Sequence, residues 1–106
     1  MVSQTRFYDK DVIWLTINIY NTIYSSFKEF NGWLKKSVDG NILMSAKETT
    51  IGKYIFIEAT ETDGIDSSGI YFYITHNNYT LNFRCDNDTK SRKKLLDILS
   101  TLEFAN

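Results

Sequence analysis

An α+β fold built on one antiparallel sheet is what this sequence predicts, in the order strand, helix, four strands, helix. Three observations carry that expectation. Ile70 to His76 and Tyr79 to Cys85 both alternate, and Asn77-Asn78 between them is a two-residue hairpin signal. Val12 to Tyr20 alternates just as strictly and is rich in β-branched and aromatic residues. Two other stretches carry apolar residues at steps of three and four, as amphipathic helices do.

In chain order, Val12 to Tyr20 is the first strand, with Ile13, Leu15, Ile17 and Ile19 on one side and Trp14, Thr16, Asn18 and Tyr20 on the other. Asn21 or Thr22 caps a helix whose stripe is Ile23, Phe27, Phe30, Leu34 and Val38, widened by Trp33 and stopped at Gly40. Gly32 inside it implies an interruption or a close neighbour. Ile42 to Glu48 is a weaker strand, Thr49 to Gly52 a turn, and Lys53 to Thr62 a strong strand. The acidic, small-residue segment Glu61 to Gly69 is a loop. After the hairpin, Asp88 or Thr89 caps a helix from about Lys90 to Leu102, buried along Leu95, Ile98, Leu99 and Leu102.

The Asn77-Asn78 corner also sets a register. His76 faces Tyr79, Ile74 faces Leu81, Phe72 faces Phe83 and Ile70 faces Cys85, because partners step back from the turn in pairs. One hairpin face is therefore apolar, while the other carries Tyr71, Tyr73, Thr75, Thr80, Asn82 and Arg84. Extended to the preceding strand, the expectation puts Ile55 and Ile57 with the apolar face, and Trp14, Tyr54 and Phe56 with Tyr71 and Tyr73. If each helix covers its own face, the tyrosines are core. If both share one face, the aromatic side is an open groove.

The chain of 106 residues is expected to form a single domain spanning 1–106. A hydrophobic content of 42% with 15% aromatics is enough for a packed core and argues against disorder. A net charge of −1 supplies no global attraction to nucleic acid or to an anionic membrane. One cysteine, Cys85, can form neither an intrachain disulfide nor a cysteine-rich zinc site. No apolar run reaches the ~20 residues of a membrane span, and the N-terminus lacks the layout of a signal peptide. Met1 need not be the native start, which leaves room for the expected setting, an exported protein with its leader removed, as well as for a cytoplasmic one.

The tyrosine-rich hairpin Ile70 to Cys85, the polar cap Asp86 to Thr89, and a closing helix ending in Ile98-Leu99-Ser100-Thr101-Leu102-Glu103-Phe104 are together similar to the end of PsbP-like domains. The motifs are a Tyr-x-Leu-x-Phe strand, Tyr79 to Phe83, and a Leu-Ser-x-Leu-x-Phe ending, Leu99 to Phe104. The resemblance implies an antiparallel sheet sandwiched by helices. It also implies a mostly non-enzymatic role, as an exported lipoprotein, assembly or accessory factor, or partner-binding module with no shared catalytic residues. The chain departs from the family in its short N-terminal part and missing leader.

Candidate chemistry is sparse. Lys90, Arg92, Lys93 and Lys94 put four cations at the start of the last helix, where they oppose the helix dipole. They are a candidate contact for an anion or acidic partner, against the plainer reading of a solvated face neutralised by Asp86, Asp88 and Asp97. His76 has no second histidine or cysteine pair to make it a metal ligand, and reads as an exposed strand-end residue. Cys85 reads as a buried core thiol rather than a nucleophile. Glu58, Glu61, Asp63 and Asp66 do not have the spacing of a calcium loop, and turn chemistry explains Asp63-Gly64. Asn78-Tyr79-Thr80 and Asn87-Asp88-Thr89 match the glycosylation acceptor pattern but read as turns.

The expected function is a non-catalytic module that contacts a protein partner through Trp14, Tyr54, Tyr71, Tyr73 and Arg84, since tyrosine and tryptophan offer stiff contact area with a polar tip. No cofactor, metal or nucleic acid is expected. The alternative is a small cytoplasmic immunity- or inhibitor-type interaction protein acting through its acidic loop. An enzyme built on Glu58, His76 or Tyr71 would need a pocket joining His76 to a carboxylate.

Overall fold

The computed structural model describes residues 2–10, 12–21, 26, 28–30, 43–62, 69–86 and 88–104. Six strands form one sheet: β1 Ser3–Asp9, β2 Val12–Asn21, β3 Leu43–Ile51, β4 Tyr54–Thr62, β5 Gly69–His76 and β6 Tyr79–Asp86. Their spatial order is β1-β2-β6-β5-β4-β3, and each neighbouring pair is antiparallel. Helix α1 is described over residues 28–30, and α2 runs over Thr89–Leu99. The class is α+β, as expected, with six strands rather than five.

The central hairpin has the expected register, including Phe72↔Phe83 and Ile70↔Cys85. Asn77 takes φ 56°, the left-handed conformation that asparagine tolerates in tight turns. The strand missing from the sequence reading is β1. Its residues, Ser-Gln-Thr-Arg-Phe-Tyr-Asp, are all exposed, so no buried face imposes alternation on them. It pairs back onto β2 through a tight turn in which Lys10 takes φ 51°.

β4 has its faces exchanged relative to expectation. Glu58 pairs with Phe72 and Ile57 with Tyr73, which puts Tyr54, Phe56 and Glu58 on the side of Phe72, and Ile55, Ile57 and Ala59 on the side of Tyr73. Both sets are apolar enough to be buried, so alternation defined two sets without saying which way each faced. The β3–β4 turn also falls later than expected. Ile51 pairs with Tyr54, and Gly52 takes the turn at φ +61°.

The main core lies between the sheet and α2, where Leu95 and Leu99 are buried against Leu15, Ile51, Phe56, Ile70, Phe72, Ile74, Phe83 and Cys85. Phe56 meets Phe83 edge-on at 6.5 Å between ring centroids. Asp88 caps α2 by accepting the Ser91 N–H at 2.8 Å, as expected. The helix ends earlier than expected: Ile98 is exposed, and Leu96 joins the core margin instead. Beyond it, Leu102 and Phe104 pack against the core, and the Phe104 ring meets Tyr54 at 5.1 Å and His76 at 4.1 Å.

The opposite face is buried around Phe30, which is fully enclosed and lies 4.8 Å from the Tyr73 ring. The described turn of α1 is capped by Ser26, whereas Thr22 lies outside the described residues. The Glu29 N–H donates to Ser26 Oγ, and the Phe30 N–H donates to the Ser26 carbonyl. Ser26-Phe27-Lys28-Glu29 has capping-box spacing, while Asn21 belongs to β2. The expected stripe positions Ile23, Phe27, Trp33, Leu34 and Val38, with Gly32 and Gly40, lie outside the described residues.

Candidate functional site

Two surfaces concentrate functional side chains, and the first is the face that carries Tyr73. Strand pairing aligns Gln4, Asn18, Asn82, Tyr73 and Ile57 in one row across five strands. Gln4 Nε2 donates to Asn18 Oδ1 at 2.7 Å, and Asn18 Nδ2 donates to Asn82 Oδ1 at 3.4 Å. Asn82 is buried, and a buried amide needs such partners. Alongside runs a second row, Arg6, Thr16, Arg84, Tyr71 and Ala59. Arg84 Nε donates to the Tyr71 hydroxyl at 3.3 Å and the guanidinium sits 5.7 Å from that ring, while Tyr71 stacks on Tyr73 at 6.1 Å. Gly69 makes room for this, because a Cβ there would come within 2.7 Å of Arg84 Nε.

Of the five expected partner-binding residues, the structure therefore gathers Tyr71, Tyr73 and Arg84. Tyr73 is buried under Phe30, whereas Tyr71 and Arg84 are half-buried. Trp14 and Tyr54 lie on the α2 side instead. The β1–β2 register passes from Phe7↔Leu15 to Tyr8↔Ile13, so Trp14 is the extra residue of a bulge, and its ring takes Lys94 Nζ at 4.2 Å. The Tyr54 hydroxyl accepts the Phe104 N–H at 3.0 Å.

The expected cation cluster is divided by the helix. Arg92 reaches the buried Glu58 carboxylate at 2.7 Å, Lys94 covers Trp14, and Lys90 and Lys93 are exposed. Glu58 also takes Lys47 Nζ at 3.3 Å, which ties β3, β4 and α2 together at one carboxylate. Burial pushes the Cys85 thiol up to about 11, with Asp88 and Asp86 adding to it. That suits a core thiol rather than a nucleophile. Hydrogen bonds from the Ser91 backbone and side chain hold the Asp88 carboxyl below its usual range.

The second surface is the outer edge and one end of the sheet, which sequence reasoning missed. Along β1, Phe7 and Tyr8 are 41% and 60% exposed. At the hairpin end, Val2, Ile19, His76, Asn77, Tyr79, Leu81 and Phe104 line a cavity of about 300 Å³. His76 is a strand-end residue, as expected, but half-buried rather than exposed: its ring lies flat on Phe104, 8° from parallel. The described lining brings it no carboxylate. No sequence signal marks this pocket, because its walls come from four separated segments.

Asp63 and Asp66 lie outside the described residues, as does Asn87, and the acidic-ridge expectation falls there. Among the described residues, no three His, Cys, Asp or Glu side chains gather as a metal site. No helix among them is long and apolar enough to cross a membrane. No protein-family model, no characterised protein and no solved structure matches this chain.

Proposed function

We propose that the chain is a non-catalytic binding module that takes a protein partner by strand addition along β1. The carrying observation is the contrast between the two sheet edges. β1 ends the sheet on one side with every side chain exposed, Phe7 and Tyr8 among them. Both edges carry exposed charges, Arg6 and Asp9 on β1 and Lys47 and Glu48 on the other edge, β3, so what sets β1 apart is its two exposed aromatic rings. Charged side chains are a common guard on edge strands, and exposed aromatics are not. An added strand would gain main-chain hydrogen bonds along β1, with Phe7 and Tyr8 supplying side-chain contact area. The resemblance to PsbP-like accessory domains supports the same reading, including an exported or surface setting.

The test is a photo-crosslinking residue placed at position 8, with position 48 on β3 as control, in cells that express the protein natively. A discrete adduct at position 8 alone is expected. Adding Phe7→Lys should abolish it while stability changes by less than about 0.5 kcal/mol, since the site is exposed. Equal labelling at both edges, or an adduct indifferent to Phe7→Lys, would refute strand addition at β1.

A further inference from the structure

We propose that the cavity at the hairpin end is a binding site for a neutral aromatic molecule of one or two rings. Size comes first. An enclosed apolar cavity of roughly 150 Å³ takes up benzene, and this one, open to solvent on one side, offers about 300 Å³, room for a fused two-ring ligand. Its chemistry narrows the class further. Val2, Ile19 and Leu81 supply aliphatic walls, and no lysine, arginine, aspartate or glutamate is among the described lining, so a charged ligand would lose its hydration without gaining a counter-ion. Three ring side chains shape the space: Phe104 and His76 lie 4.1 Å apart and nearly parallel, and Tyr79, 46% exposed, stands at the mouth. Flat walls of this kind favour a flat ligand, because offset or edge-on ring contacts add to simple area burial.

Polar groups are few but sit in the lining. The lining includes His76, Asn77 and Tyr79, residues whose side chains carry an imidazole, an amide and a hydroxyl able to hydrogen-bond one N–H or O–H on an otherwise apolar ligand. An apolar cavity with a small number of polar groups that fix orientation is the usual make-up of a small-molecule site. The walls are also anchored. Ile19 accepts the Val2 N–H at its carbonyl at 2.7 Å, Leu81 pairs with both Ile19 and Ile74, and Phe104 is held through its N–H by Tyr54. This site stands apart from the β1 edge in its ligand and its evidence, so either proposal can fail alone.

The experiment is a titration of the intact protein with indole, followed by backbone amide chemical shifts. Saturable shifts concentrated at Ile19, Asn77, Tyr79, Leu81 and Phe104 are expected. Tyr79→Ala should weaken binding about tenfold, the worth of one aromatic contact. Indole-3-acetate at pH 8 should bind at least about tenfold more weakly than indole, because no lysine or arginine is among the described lining. Shifts that spread over the sheet or never saturate would overturn the site, whatever Tyr79→Ala does to folding. Equal affinity for the anion would overturn the ligand class.

Discussion

Glu58 is the residue on which the sheet–helix junction depends. Its carboxylate is buried, and it is compensated by Arg92 at 2.7 Å and Lys47 at 3.3 Å, both of which keep part of their side chains in solvent. Removing a buried charge from partners that stay in contact with water costs less than breaking a fully buried pair. Glu58→Ala should therefore lower unfolding free energy by about 1–3 kcal/mol, and Arg92→Ala by less, because Lys47 remains. Urea unfolding at neutral pH measures both. Cys85 gives a pH signature. Its thiol is raised from 9.0 to about 11 in the fold, so the unfolded chain loses that proton first. Stability from this group is complete below pH 9 and is lost as pH climbs from 9 towards 11. A Cys85→Ala variant should show a flatter alkaline decline in thermal midpoint. Sequence reasoning placed Cys85 in the core correctly, because hairpin register alone puts it opposite Ile70. It could not place Trp14, whose orientation follows from a one-residue bulge that alternation does not announce.

Among the elements, the central hairpin was the most legible, and the edge strand the least. Asn77-Asn78 specifies a turn, a turn specifies a register, and the register specifies which side chains face α2. β1 gave no such chain of consequences, since a strand exposed on both faces has no hydrophobic period to read. The β3–β4 turn yields a sharp prediction. Gly52 has φ +61°, and a Cβ there would lie 2.6 Å from the Ser100 carbonyl oxygen, which is backbone. Gly52→Ala should cost about 2 kcal/mol or more, combining left-handed strain with that clash. At Gly69 the obstruction is the flexible Arg84 side chain. Gly69→Ala should therefore cost less in stability while displacing Arg84 from Tyr71. Comparing the two variants by calorimetry separates backbone clash from side-chain clash.

For the whole molecule, the segment after α2 closes the structure. Phe104 lies between Tyr54 and His76, its N–H bonds to the Tyr54 hydroxyl, and Glu103 pairs with Lys53 at 2.6 Å. That segment thus covers the β3–β4 turn and the β5–β6 turn together, which the β4–β5 register puts side by side at one end of the sheet. Phe104→Ala should cost about 1.5–3 kcal/mol, below the value for a fully enclosed phenylalanine because its ring is partly exposed. Reversing the surface pair with Lys53→Glu should cost under about 1 kcal/mol. The aromatic surface expected from the sequence is divided by the same architecture. Central strands in this sheet bury both faces, and two apolar sets per strand leave the choice of face to tertiary packing.

β2 lies between β1 and β6, and its partner on the inner side arrives late: Asn18 and Asn82 are 64 positions apart. A ribosome adding 5–20 residues per second would need about 3–13 s to make that interval. Throughout it, Leu15, Ile17 and Ile19 of the nascent hairpin have neither β6 beside them nor α2 above them. The newly made chain thus offers a chaperone a transient apolar ribbon that the finished protein hides, and its yield in cells should depend on how quickly translation reaches the second half.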